Sequence, residues 1–517
     1  MTRNGIISIF CATMFLLACG TAIAQVEQLP IRSGPEAVGI RPITGDVNLW
    51  FENGGGSKYW RPDCDTLSNG NAIVFGGMRK DPGWLGSESA DSRRAMREMI
   101  AIFSPTGELL EPARTAFYTN AGEPWEDTIC TTRNEDKFYG LCADTVGERN
   151  GDQYVVHTIA TPHDWPEAFP GYPVDAAGDH HTAIQVISNG GEIRSPLTSP
   201  YGTYLKERGL LRGGTVRFLS SGNIVVLYED RQQGERCDYV YGRTSTGQTI
   251  GAAILGPDGH IVHDMFPIST PRGGSNRFGL ASGDGWFACR YFDNTTGATI
   301  VAFDNDGNEL GGGEGRLYPA IDIPELKGDG GNRGDPNGLE AVGDTLYISH
   351  QVHDREGYLS TFRVSEDGVQ VIKTVSFIDN SWSTFEHNAD LGVDSEGNVI
   401  VMWQDQAWDR FQPGRWELLA RMFDANLEPL TSSFVLFEVG NNTDIDEIDP
   451  ILGPGRTKQS RIAMNDQIIV AIAETNEVPY GDAESFTSGS EAWYTYTYIA
   501  RLLENPTHTP VRDWSIY

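Results

Sequence analysis

Past Ala24 the sequence has no apolar run long enough to span a membrane, which excludes a helical span. Apolar residues at helical spacing are almost absent as well, so the pattern argues against helix bundles and alternating α/β folds. Positive charge is scarce: 39 Lys and Arg stand against 71 Asp and Glu, for a formal net charge of -32. A chain this acidic suits salty extracellular surroundings and excludes nucleic acid and acidic membranes as its expected partners. What is present is enough for a large core, since 39% of the 517 residues are hydrophobic and 10% are aromatic.

The first residues join Arg3 to an apolar run that ends in Ala22-Ile23-Ala24, the small-x-small pattern that a signal peptidase cuts. The expectation is a signal peptide over residues 1–24 and a secreted chain, extracellular or periplasmic, folding as one domain over 25–517. The alternative is an outer-membrane lipoprotein, because "LLAC" ends at Cys19 in a lipoprotein-like box.

Export permits disulfides, and Cys64, Cys130, Cys142, Cys237 and Cys289 survive cleavage after Ala24. In "ICTTRNEDKFYGLCAD" a turn at about Asn134 to Lys137 sets Cys130 opposite Cys142 across a hairpin, so these two are expected to form a disulfide. Cys237 and Cys289 are read as lying near strand ends, which leaves a bridge or a structural zinc open. A calcium loop is superficially suggested by "DNDGNEL" (304–310). It lacks the remaining acidic ligands, and a plain hairpin turn is the better reading.

A β-rich run, a tight turn and a second β-rich run recur seven times, with turns at SNGN (from Ser68), NEDK (Asn134), SSGN (Ser220), SGDG (Ser282), VGDT (Val342), SEGN (Ser395) and MNDQ (Met464). The spacings are 66, 86, 62, 60, 53 and 69 residues, regular enough for a repeat. Outer turns at "SPTGEL", "SNGGEI", "GPDGHI", "DNDGNEL", "SEDGV" and "DANLEP" make each unit four strands. The expected fold is all-β, a seven-bladed β-propeller of four-stranded antiparallel blades, with an N-terminal segment such as "GDVNLWFE" (45–52) closing the last blade. The familiar blade labels are missing: there is no Ser-x-Asp-x-Gly-x-Thr-Trp box, no Trp-Asp ending and no kelch double glycine. A monomer is expected.

On a propeller, the connections from strand two to three and from strand four to the next blade share one face. In the second unit that connection is read as one long loop running from Val146 to the twin histidines His180 and His181, and carrying His157 and His163. Charge gives a second clue, because residues 206–290 hold ten Lys and Arg against eight acids on an otherwise acidic body. Such a sector suits an anionic ligand, or else its arginines pair with nearby Glu207, Glu229, Asp230, Glu235 and Asp238. Tyr228 closes the second strand of the third unit and Arg243 lies on its third, so His, Tyr and Arg are expected to converge.

That trio suits β-elimination in a uronate polymer. Arg neutralises the carboxylate, a neutral His takes the C5 proton, and a Tyr hydroxyl protonates the departing O4, with no cofactor required. The twin histidines point to opposite strand faces, so at most one faces the channel. Further substrate contacts are expected from His180, Arg212, Arg231, Arg272, Asn276, Arg277, Arg333 and His387.

The "TVRFLSSGNIVVLYEDR" hairpin (215–231) and the His/Tyr/Arg placement resemble the ulvan lyases, secreted seven-bladed propeller polysaccharide lyases of marine bacteria. The resemblance implies Tyr228 as the catalytic tyrosine, Arg243 as the carboxylate neutraliser, His181 or His163 at the histidine positions, and a sulfated, uronate-containing algal polysaccharide as substrate. The first strand of the second unit departs from that pattern, since it carries Glu126 and Asp127 and no histidine. Two other readings are a propeller glycoside hydrolase and a non-catalytic carbohydrate-binding propeller. The hydrolase would use paired carboxylates among Asp63, Asp65, Glu126, Asp127, Asp335, Glu386 and Asp390.

Overall fold

The computed structural model describes residues 40–42, 51–53, 60–61, 63–67, 70–79, 96–106, 108–115, 141–142, 146–147, 153–160, 181–188, 211–230, 249–269, 278–293, 297–326, 338–352, 356–379, 389–406, 416–439, 457–475 and 493–502. All of them fall within one compact unit, Ser33–Tyr517. The described residues are overwhelmingly β-strand, with one single-turn α-helix, α1 (Pro319–Asp322), and short 3-10 turns at Gly312–Gly315 and Pro324–Leu326 beside it. Among them no helix is long and apolar enough to cross a membrane.

Three short strands come first, β1 (Ile40–Pro42), β2 (Phe51–Asn53) and β3 (Trp60–Arg61). A four-stranded sheet follows, made of β4 (Asp63–Thr66), β5 (Ala72–Arg79), β6 (Met96–Phe103) and β7 (Leu109–Thr115). β8 (Leu141–Cys142) pairs in parallel with β3. β9 (Val146–Gly147), β10 (Gln153–Ala160) and β11 (His181–Ser188) make a three-stranded second sheet. The third sheet has β12 (Leu211–Phe218), β13 (Ile224–Asp230), β14 (Thr249–Leu255) and β15 (Ile261–Pro267). The fourth has β16 (Phe278–Ser282), β17 (Trp286–Asp293) and β18 (Gly297–Asp304).

The fifth sheet is β19 (Leu339–Val342), β20 (Thr345–Val352), β21 (Glu356–Ser365) and β22 (Gly368–Ser376). The sixth is β23 (Asp390–Val393), β24 (Val399–Gln406), β25 (Trp416–Phe423) and β26 (Phe434–Val439). The last comprises β27 (Thr457–Met464), β28 (Ile468–Thr475) and β29 (Trp493–Leu502). Both β1 and β2 pair antiparallel with β29, opposite residues 500–502 and 493–495. The last sheet is therefore completed by N-terminal chain, and Phe51 and Glu52 of the expected closing segment are among the residues that do it.

Each sheet's strands pair in chain order, and the innermost strands succeed one another. β4 lies against β27 and β9, β12 against β9 and β16, β19 against β16 and β23, and β23 against β27. The fold is a β-propeller of four-stranded antiparallel blades. The apolar cores lie between the sheets, which is why the middle strands are apolar on both faces. Leu227, Ile254, Phe287 and Phe303 fill the gap between the third and fourth sheets. Ile400, Leu418, Ile462 and Ile469 do the same between the sixth and the last. Val74 and Phe103 of the first sheet pack with Ile468, Val470 and Ile472 of the last, so the ring closes on hydrophobic burial as well as on strand pairing.

The sequence reading needs three corrections. Five sheets among the described residues reach four strands, where seven complete blades are expected. In the fourth sheet the "DNDGN" turn forms, but only the isolated bridges Phe303 to Glu309 and Ile300 to Leu317 follow it. The chain there runs Gly311-Gly312-Gly313-Glu314-Gly315 and on to Pro319, a composition that disfavours a strand. Gly311 has φ 67, and a Cβ on it would collide with the Asp367 carbonyl of the fifth sheet. In the second sheet, His157 sits inside β10 opposite Ile184, so the segment read as one long loop contains two strands. Asn150-Gly151, between β9 and β10, carries a stronger hairpin signal than NEDK, which lies outside the described residues. Finally, Cys289 lies mid-strand in β17, fully buried with a free thiol, away from a strand end.

Candidate functional site

The inner strands surround a central channel with two distinct ends. At one end are the turns joining first to second strands, and a cavity of about 520 Å³ opens among them. Asp65, Asp284, Glu340, Asp394 and Asp466 line it together with a single guanidinium, Arg217. These carboxylates are engaged within the fold. Asp394 accepts the backbone N–H groups of Glu396 at 3.0 Å and Asn398 at 2.8 Å, an Asx turn that closes its own hairpin. Asp466 accepts both the backbone N–H and the hydroxyl of Ser395, each at 2.8 Å, tying the last sheet to the sixth. Glu340 of β19 faces Arg217 of β12 at 3.7 Å, across the position of the fourth sheet.

Neighbouring turns are stitched the same way. Ser220 Oγ accepts the Gly285 N–H at 2.8 Å, and the Gly343 carbonyl accepts Asp284 N–H at 3.0 Å and the Trp286 indole N–H at 3.1 Å. Asp304 of "DNDGN" likewise accepts the N–H groups of Asp306 and Asn308, so the hairpin-turn reading of that stretch is the observed one.

Deeper in the ring, a buried polar belt crosses four sheets. Arg290 of β17 donates to the Ser349 carbonyl at 3.3 Å, and Ser349 Oγ donates to the Ala389 carbonyl at 2.9 Å. The next residue, Asp390, accepts the Ile462 N–H of β27 at 2.9 Å. Asp390 is buried, and its carboxyl is pushed up to about 7 by desolvation, against the opposing pull of Arg461, the Ile462 and Leu391 N–H groups and Arg217. His350 is held well below the usual imidazole range by burial and by Arg290, so it is neutral and packs edge-on to Phe362. Burial also raises the Cys289 thiol far above the usual range, which leaves it unreactive.

The other end of the channel, where second strands pass to third strands, is where the expected site lies. His181 is the first residue of β11, and Tyr228 stands two residues before the end of β13 in the adjoining sheet. Both strand ends are therefore on the same face. Tyr228 lies opposite Gly214 on β12 and Gly251 on β14, so neither neighbouring strand carries a side chain at its register. Arg212 is the second residue of β12, opposite Glu229 at that same end. His163, His180, Arg231, Arg243, Arg272, Asn276, Arg277, Arg333 and His387 lie outside the described residues, as do Cys130 and Cys237. Cys142 lies on β8 opposite Arg61.

Sequence reasoning passed over Arg217, Glu340 and Arg461 as site residues. The usable signal was a charged residue inside an otherwise apolar first strand, as in "TVRF", "LEAV" and "SRIAM". Of the basic sector, Arg290 is buried and Arg217 reaches Glu340 of the fifth sheet, an acid remote in sequence. Among the described residues no group of three or more His, Cys, Asp or Glu is placed to hold a metal ion.

The sequence matches no family model and no curated protein. Several solved structures align at low similarity. U3-55K aligns at 10% identity over 91% of this chain and 100% of its own, with a TM-score of 0.43. A subtype N11 neuraminidase-like protein of A/flat-faced bat/Peru aligns at 11% identity over 77% and 98%, with a TM-score of 0.38. The Trypanosoma rangeli sialidase in complex with the inhibitor DANA aligns at 10% identity over 86% of this chain and 55% of its own, with a TM-score of 0.36. Similarity of this size assigns neither a family nor a chemistry, and the fold rests on the sheets themselves.

Proposed function

We propose that the protein is a secreted polysaccharide lyase cleaving an anionic, uronate-containing polymer of the ulvan type at the connection end of a seven-bladed ring. The two three-stranded sheets count as the second and fourth blades. The observation that carries the reading is the placement of His181 and Tyr228 at one face, on strand ends of adjoining sheets. The glycines opposite Tyr228 support it by leaving space at that register. The acidic turn end also favours it, because carboxylates around that mouth repel a polyanion and direct it to the opposite face.

In the reaction, His181 or His163 removes the C5 proton of the uronate, and the electron pair forms a C4 to C5 double bond. The C4 to O4 bond breaks, and O4 takes its proton from the Tyr228 hydroxyl. Arg243 holds the sugar carboxylate, so that the charge developing beside it is offset. Arg212, Arg231, Arg272, Asn276, Arg277, Arg333, His180 and His387 bind the flanking sugars. The test is incubation with ulvan and other uronate polymers. Elimination produces an ultraviolet-absorbing double bond, whereas reducing ends without that absorbance would overturn the reading in favour of hydrolysis. Binding without turnover would overturn it in favour of a carbohydrate-binding propeller.

A further inference from the structure

The junction between the sixth and last sheets has the construction of a switch. Asp390 begins β23 and is only 4% exposed, yet its Oδ2 is the acceptor for a backbone N–H of the neighbouring sheet, that of Ile462. One residue earlier, the Ala389 carbonyl takes the Ser349 hydroxyl from the fifth sheet. A single strand start therefore pins three sheets together. We propose that this junction is a proton-operated latch: with Asp390 neutral the sheets stay closed, and loss of its proton favours separation of β27 from β23.

The physical reason is the cost of a buried charge. In the closed junction an ionised carboxylate loses its water, and the backbone N–H groups of Ile462 and Leu391 with partial help from Arg461 and Arg217 do not replace it. In an opened junction water solvates the carboxylate fully. The charged and titratable groups on the elements around β23 are Arg461 and Lys458 of β27, Glu340 of β19 with its partner Arg217 of β12, Tyr347 and His350 of β20 and Asp405 of β24. His350 is already neutral, and the arginines keep their charge throughout the range in question.

The sign follows from linkage. A carboxyl whose pKa is higher in the closed state than in the open one stabilises closure fully at low pH. That contribution is lost as pH rises from the ordinary Asp value of 3.8 to about 7, and it is constant above that. Hydrogen exchange at the Ile462 amide, corrected for the intrinsic pH dependence of exchange, reads the opening directly. In the full-length protein the opening constant is expected to rise up to about tenfold per pH unit between about pH 5 and pH 7, and the slope should vanish in Asp390→Asn. An unchanged slope in the variant, or a flat wild-type profile, overturns the latch. If the variant does not fold, infrared spectra of wild-type protein carrying carbon-13-labelled aspartate decide the matter. A protonated aspartic acid band at about pH 6 that disappears above about pH 8 supports the latch, and its absence at the lower pH overturns it.

Discussion

The two ends of the channel use the same residue types for different purposes. At the turn end, carboxylates are abundant and are committed to the backbone: Asp394 closes its own hairpin, Asp466 grips Ser395, and Glu340 meets Arg217. Charge at that end is architecture. At the connection end, β11 begins at His181 and β13 ends two residues past Tyr228, with glycine on either side of the tyrosine, and segments 161–180 and 231–248 connect there. The net charge alone therefore says little about where an anionic ligand binds, because the acids that serve the turns are gathered at one mouth.

The sharpest way to break that comparison is Tyr228→Phe, which removes a hydroxyl from the connection end and leaves the ring. On a general-acid role, kcat on a uronate polymer should fall by a factor of about 10² to 10⁴ with folding unchanged. Unaltered turnover would move the chemistry elsewhere. Next in size is the pH response of the whole fold. Asp390 lies at 4% exposure and titrates at about 7 against 3.8 for the ordinary group, so its contribution to stability should decline by about 4 kcal/mol as pH rises through that interval. Denaturant melts of wild type and Asp390→Asn should converge at low pH in their pH slopes and differ most between about pH 5 and pH 7.

A smaller effect is expected at Gly397, in the Asp394 turn. Its φ is 85, and an added Cβ would lie 2.6 Å from the Tyr347 hydroxyl oxygen. Gly397→Ala should cost roughly 1–2 kcal/mol for the left-handed backbone alone, and more if Tyr347 fails to move. Activity at the opposite face should be unaffected, and a parallel loss of both would show that the two ends are coupled.

How much of this was legible follows from where the signal lives. The turns at Ser68, Ser220, Ser282, Val342, Ser395 and Met464 are local, because Gly, Asn and Asp write them directly into the chain, and strands join at each of them. The closing role of the N-terminal segment was legible from an incomplete last unit. The second sheet was misread because NEDK also advertises a turn and competes with the stronger Asn150-Gly151 signal further along the chain. The missing outer strand of the fourth sheet depends on a close approach of Gly311 to another sheet, which is a tertiary fact. The polar belt from Arg290 through Ser349 to Asp390 was illegible for the same reason, since its partners lie 59 and 40 residues apart in the chain. Of the expected site residues, His181 and Tyr228 fall near strand ends on one face, while Asp390, weighed only as a rival catalytic acid, is a buried pin between sheets.

The smallest expected effect sharpens the claim that acids at the turn end serve structure. Ser395 donates two hydrogen bonds to the Asp466 carboxylate between the last two sheets, both at an exposed position. Ser395→Ala removes only the hydroxyl and leaves the backbone donor, so it should cost about 0.5–1.5 kcal/mol, whereas Asp466→Asn keeps an acceptor and should cost less. In a double-mutant cycle the coupling between the two should be no larger than the single serine loss, because the remaining N–H bond survives in every combination. Turnover should stay at the wild-type level throughout. A drop in kcat from either substitution, at the far end of the ring from Tyr228, would mean that the turn-end carboxylates meet the substrate after all, and the division of labour between the two mouths would have to be abandoned.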